Sequence, residues 1–257
     1  MPAPVTAAPS ASREFRTHFW QRGADRLLIP PYLWLRGVRY VCHAVPCDRL
    51  ASIISRGGLY SLRERQRMGI SEPQYGANWG HGKQEALAEF VACSFPTSWW
   101  MSRQRQAHLA IILLDARAVC SSRGVRFCRG SSASELISVD EILGKTGFLG
   151  LRSCLPRRRQ RGRGKEAELF VPERISVRRF RGIYVYDRDS VRSWQPMVDQ
   201  AARQSRERVP KRAIQLTAGY TDIFNFPTDY KPNMRFREGD PVVVERPVDR
   251  LRRSHRR

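Results

Sequence analysis

Apolar residues in this chain fall into short runs with two different periods. Val38-Arg39-Tyr40-Val41-Cys42-His43 alternates at period two and predicts a strand ending on His43. A helix is expected next: Pro46 precedes it, Asp48 can cap it or favour its positive end, Leu50, Ile53 and Ile54 form an apolar stripe, and Gly57-Gly58 stops it. His108 to Asp115 is a continuous apolar run rich in β-branched residues, the pattern of a buried strand. Val125 to Cys128 predicts a further short strand, and Ser138 to Leu143 a short helix introduced by Ser138 and Asp140. Glu166-Ala167-Glu168-Leu169-Phe170-Val171, Ile175-Ser176-Val177 and Arg179 to Tyr186 predict strands with Pro172 and Gly182 as breaks, before a helix over 190–208.

The stretches between are less regular. Residues 60–84 read as a long loop with one helical turn, because few large aliphatics follow Met68 and Pro73, Gly76, Gly80 and Gly82 interrupt it. Ala86 to Phe95 fits a helix or the entry to a strand, and Pro96 to Met101 carries a bulky apolar cluster. Pro30-Pro31 reads as a break that opens the folded part. The organisation expected is a loosely packed or disordered lead over 1–30, one domain over 31–208 and a basic extension over 209–257.

Charge changes the picture most. Lys and Arg number 46 against 24 acidic residues, a formal +22, which implies a polyanionic partner and points to nucleic acid. Arginine enrichment from a GC-rich genome is the alternative source of that excess. The loop over 152–165 concentrates it in Arg157, Arg158, Arg159, Arg161, Arg163 and Lys165, suited to holding phosphates and stacking on unpaired bases. Six cysteines lack a C-x-x-C pair or a histidine at ligand spacing, so no metal site is expected and they read as thiols in a reducing compartment. The longest apolar stretch, Leu109 to Leu114, is too short to cross a bilayer, and the N-terminus shows no export pattern. A soluble cytoplasmic protein without membrane contact is expected.

Two carboxylates follow the basic loop. In a strand, Glu166 and Glu168 lie on one face while Ala167, Leu169 and Val171 point to the other, so the acids are expected to share a surface. Solvated acids at an exposed strand end would give the same pattern.

Together with His43 they make a larger pattern. The run His43-Ala44-Val45-Pro46-Cys47-Asp48-Arg49-Leu50, continuing through Ile53-Ile54 to Gly57, is similar to the NAD motif of DarT-type DNA ADP-ribosyltransferases. Glu166-Ala167-Glu168-Leu169-Phe170-Val171 resembles the family's Gln-Ala-Glu segment, and the likeness spans residues 40–186. The resemblance implies an α+β fold with a split mixed β-sheet core, flanking helices and, here, a basic C-terminal appendage.

It also implies roles. Glu168 would be the essential carboxylate, stabilising the charge that builds on the ribose as NAD loses nicotinamide. Glu166 would face the acceptor. His43 would hold NAD through a ring nitrogen, with the backbone of Ala44 and Val45 on the nicotinamide amide, and Ser52 and Tyr60 as further cofactor contacts. The family also uses an arginine after the first helix; here Lys83 is the nearest cation, with His81 and Arg67 as alternatives. Glu166 stands where the family carries Gln, and Glu-x-Glu is more typical of transferases acting on protein arginine.

The function implied is NAD-dependent transfer of one ADP-ribose to a base of DNA, expected to be single-stranded because the arginine loop suits unpaired bases, by a toxin or defence effector held by an antitoxin. The competing expectations are transfer to RNA or protein arginine, and a nucleic-acid-binding module without catalysis.

Overall fold

The computed structural model describes residues 11–70, 81–95, 109–130, 132, 137–155, 167–185, 188–205 and 207–218, with side chains from residue 23 onward and, in the helix that begins at His81, from Lys83. The first helix, α1, runs Ala11–Leu35 and carries Pro30 and Pro31 inside it rather than ending there. Two prolines remove two backbone donors from the helix ladder. Tertiary contacts offset that loss: Ile29 and Leu33, one turn apart, are buried. Asp25 accepts a hydrogen bond from the Phe148 N–H at 2.7 Å, and the Tyr32 and Phe148 rings meet edge to face at 5.3 Å.

The main sheet has seven strands. They are β1 (Tyr40–Pro46), β3 (Phe90–Ser94), β4 (Leu109–Asp115), β5 (Arg126–Cys128), β6 (Glu168–Pro172), β8 (Phe180–Val185) and β9 (Leu216–Ala218), in the spatial order β5-β6-β3-β1-β4-β8-β9. All neighbours are antiparallel except β8 and β9, so the sheet is mixed. A small second sheet pairs β2 (Gly58–Tyr60) with β7 (Arg174–Ser176).

Short helices fill the connections: α2 (Leu50–Ser55), α3 (Leu62–Arg67), α4 (His81–Leu87), α5 (Ala116–Cys120), α6 (Val139–Gly144), α7 (Gly147–Cys154), α8 (Arg188–Gln204) and α9 (Lys211–Ile214). Several are started by a side chain that takes an otherwise unpaired N–H. Ser61 accepts from Glu64, Asp115 from Ala118 and Ser138 from Glu141.

The main core lies on one face of the sheet, where Val41, Val45, Ile112, Leu114, Leu169, Val171, Ile183 and Val185 meet Leu50 and Ile54 of α2 and Val198 and Ala201 of α8. A smaller cluster on the other side holds Leu87, Cys128, Ile142 and Phe170.

Four expectations need correcting. β1 continues past His43 to Pro46, because the whole run pairs with β4 from Tyr40↔Asp115 to Pro46↔Leu109. The stretch over 60–84, expected to be a long loop with one helical turn, contains two helical segments, α3 and the start of α4. Residues 211–218, expected in the appendage, form α9 and the edge strand β9, with Ala213, Ile214 and Leu216 in the core. Glu168 does not lie on an open surface: β6 sits between β3 and β5, and this side chain is 4% exposed.

Candidate active site

The two halves of the main sheet meet at a narrow seam. Toward β4, β1 forms a full ladder; toward β3 it forms the single pair Cys42↔Ser94. Among the described residues the groups β5-β6-β3 and β1-β4-β8-β9 are therefore joined by one backbone pair, and from His43 to Pro46 the β3-facing edge of β1 has no ladder partner. Successive strand residues direct their N–H and C=O to opposite neighbours. Of Ala44 and Val45, one therefore faces β4 and the other faces the seam.

Cys42, Ser94, Glu168 and Cys128 form one cross-strand row, through Cys42↔Ser94, Ser94↔Glu168 and Cys128↔Glu168. This register carries Glu168 to within two strands of β1. A buried carboxylate loses its water and needs donors in exchange. Ser132 supplies two, both to Oε2: its backbone N–H at 3.0 Å and its hydroxyl at 2.5 Å. Ser132 is itself buried, and its carbonyl accepts from Lys83 Nζ at 3.4 Å.

His43 stands on the β1 side of the seam. Its Nδ1 lies 2.6 Å from the carbonyl oxygen of Ala92 on β3, spanning the gap where the ladder has stopped. A carbonyl only accepts, so Nδ1 carries the proton and donates. Burial pushes the imidazole below its ordinary value; the Ala92 hydrogen bond opposes this, and the positive charge of Arg65 adds to it. The ring is thus neutral at pH 7, with Nε2 as an acceptor.

The structure groups the expected site residues unevenly. His43, Ala44 and Val45 border the seam, and Lys83 reaches Glu168 through Ser132. Ser52 lies on α2, in a groove lined also by Met197, Gln200 and Gln204 of α8. Tyr60, at the end of β2, donates its hydroxyl to the Arg56 carbonyl at 2.9 Å, and the Arg174 guanidinium lies 5.9 Å from its ring centre. Arg67 is exposed and pairs with Glu64. Glu166, Arg157, Arg158, Arg159, Arg161 and Arg163 lie outside the described residues, as does the side chain of His81.

Two residues of the site were not singled out from the sequence. Arg65 sits on α3, and the signal for that helix was present: Ser61 followed by Glu64 is a capping-box pair, which turns residues 62–67 from loop into helix. Ser132 falls in the small polar run Ser131-Ser132-Ala133-Ser134 just beyond β5, a cue that marks a turn but not its partner. Among the described residues no group of His, Cys, Asp or Glu is arranged to hold a metal, and no helix is long and apolar enough to cross a membrane.

The seven-stranded mixed sheet with its flanking helices matches the fold of DarT-type ADP-ribosyltransferase structures. The chain resembles Thermosipho africanus DarTG in complex with ADP-ribose at a TM-score of 0.50 and 20% identity, over 74% of this chain and 52% of that one. It therefore spans about half the length of that relative. Thermus sp. 2.9 DarT in complex with ADP-ribosylated single-stranded DNA matches at a TM-score of 0.47 and 14% identity, over 73% of this chain and 96% of that one. The same protein in complex with NAD+ matches at 0.44 and 15%, over 67% and 93%. No protein-family model and no curated protein matches the sequence.

Proposed function

We propose that the chain is an NAD-dependent mono-ADP-ribosyltransferase whose acceptor is a base in DNA, single-stranded at the point of attack. The observation that carries this reading is Glu168: a carboxylate buried in the sheet and held by two donors on one oxygen, in the same cross-strand row as the seam. Buried carboxylates are expensive, and one kept at the join of two half-sheets is a candidate for stabilising positive charge.

The residues at the seam fit NAD. Whichever of Ala44 and Val45 faces the seam offers both a backbone donor and an acceptor, which suits a carboxamide. The Nε2 acceptor of His43 suits a hydroxyl of the cofactor. Glu168 would accept the ribose 2′-hydroxyl and face the positive charge that develops on C1′ as its bond to nicotinamide breaks. A bond from C1′ to the acceptor atom then forms, and the acceptor's proton leaves toward Glu166. Arg65, whose positive charge is felt at His43, joins Lys83, His81 and Arg67 as a candidate for the cation that would meet the cofactor's phosphates.

DNA as acceptor is supported by the formal charge of +22 and the arginine loop over 157–163, suited to single strands. The related fold of Thermosipho africanus DarTG was captured with ADP-ribose, the group to be transferred. The proposal extends to a cytoplasmic toxin or defence effector restrained by an antitoxin. A second reading, transfer to RNA or protein arginine, is favoured by Glu166 in the acceptor-side position.

Incubation with labelled NAD and single-stranded DNA, duplex DNA, RNA or a protein mixture separates these outcomes. Label on single-stranded DNA is expected. Label on RNA or protein moves the acceptor, and intact NAD with no label anywhere leaves a binding module.

A further inference from the structure

We propose that Lys83 is a positioning residue for Glu168, acting through Ser132 rather than touching substrate. The inference rests on the reading of Glu168 as the acting carboxylate. It starts from Leu87, which is 1% exposed and packs with Cys128 and Phe170, residues of the two strands that flank and carry Glu168. Lys83 lies one helical turn before Leu87 on the same face of α4. The packing that seats Leu87 therefore also sets where the Lys83 stem emerges.

That place is the carbonyl of Ser132, 3.4 Å from Nζ. Ser132 follows β5 closely, and Cys128 of β5 is directly opposite Glu168. The chain must double back after Cys128 for Ser132 to aim its N–H and hydroxyl at Oε2 of Glu168. Gly130 is part of that return: a Cβ there would come within 2.8 Å of Ile137 Cδ1. Two donors on one oxygen fix the rotation of the carboxylate, and the ammonium on the Ser132 carbonyl, in the next peptide along, steadies the residue that supplies them. The cation in this site thus acts on the carboxylate from behind, through a backbone oxygen of Ser132.

The test uses the full chain with Lys83→Met, Lys83→Arg and Ser132→Ala, read by amide hydrogen exchange at Ser132 and by kcat and KM for NAD. In Lys83→Met, exchange at Ser132 is expected to be about tenfold faster and kcat to fall about tenfold or more, since small misplacement of a reacting group costs up to about a hundredfold. KM should change by less than about twofold, as befits a residue that does not contact substrate. Lys83→Arg should restore both, and Ser132→Ala should lower kcat while leaving KM alone. Unchanged exchange at Ser132 in Lys83→Met overturns the proposal. So does a raised KM with kcat intact, which would make Lys83 a substrate contact. A wild-type chain that leaves NAD intact, yet loses Ser132 protection on Lys83→Met, would overturn the enzymatic reading and not the positioning.

Discussion

The Nδ1 of His43 and the carbonyl of Ala92 are 2.6 Å apart, and this one contact spans the seam between the two half-sheets and fixes which nitrogen carries the proton. Because Ala92 can only accept, Nε2 is left with its lone pair. A residue that appears in the sequence as a lone histidine on a strand becomes an acceptor of defined direction.

That acceptor should survive mild acid. Burial, with Arg65 in the same direction, outweighs the Ala92 bond and holds His43 below its ordinary value. The folded chain therefore binds this proton later than the unfolded chain as pH falls. The stability that neutral His43 confers is fully present above about pH 6.5, the unfolded value, and is lost as pH drops through the depressed folded value. An NMR titration should place the His43 midpoint below that of a free imidazole, and KM for NAD should rise only once that lower midpoint is passed. A midpoint at or above the free value would remove the neutral acceptor from the scheme.

Glu168→Gln should lower transfer by about a hundredfold or more, the scale of losing one electrostatic stabiliser of a transition state. The replacement keeps an oxygen for Ser132, so thermal unfolding should shift by an amount equivalent to about 1 kcal/mol. Retained activity in a folded Glu168→Gln chain would assign the chemistry to another carboxylate.

Neutralising Arg157, Arg158 and Arg159 together should weaken binding to single-stranded DNA and flatten its dependence on salt. Each phosphate contact on a single strand contributes about 0.7 to the slope of log K against log salt. Loss of three contacts should therefore reduce the slope by about 2. A titration series from low to moderate salt reads this directly, and an unaltered slope would mark those arginines as bystanders.

Gly58→Ala should destabilise the small β2/β7 sheet. Gly58 has φ +156°, and a Cβ there would lie 2.2 Å from the Ile175 carbonyl oxygen, a backbone atom of the partner strand that cannot swing away. The cost should exceed about 2 kcal/mol, the range for strain combined with a steric clash. Urea unfolding would measure it. A neutral effect would mean that β2 and β7 can separate without harm to the rest.

The elements that were legible in the sequence are those whose local signals agree with their surroundings. β4 carries an uninterrupted apolar run and lies between two strands; α6 has its Ser138 cap and its buried Ile142. β9 was not legible because three residues at a parallel edge, Leu216 to Ala218, have too little length for a period. The burial of Glu168 was hidden for a different reason. Alternation places a side chain on a face, but whether that face is covered depends on β3, β5 and Ser132, which come from distant parts of the chain. The seam was invisible for the same cause: β1 reads as one strand, and nothing in its residues says that only Cys42 pairs with β3.

All six cysteines are buried and free. Burial pushes each thiol upward, Cys47 and Cys154 to about 11, and only the thiolate attacks the sulfur of a disulfide-exchange reagent. The native molecule should therefore react slowly with such reagents, while any excursion that opens the sheet presents sulfur to them. The labelling rate becomes an intrinsic clock for opening, and Cys42 and Cys93, on the two strands joined at the seam, would time the parting of the half-sheets without any dye or tag.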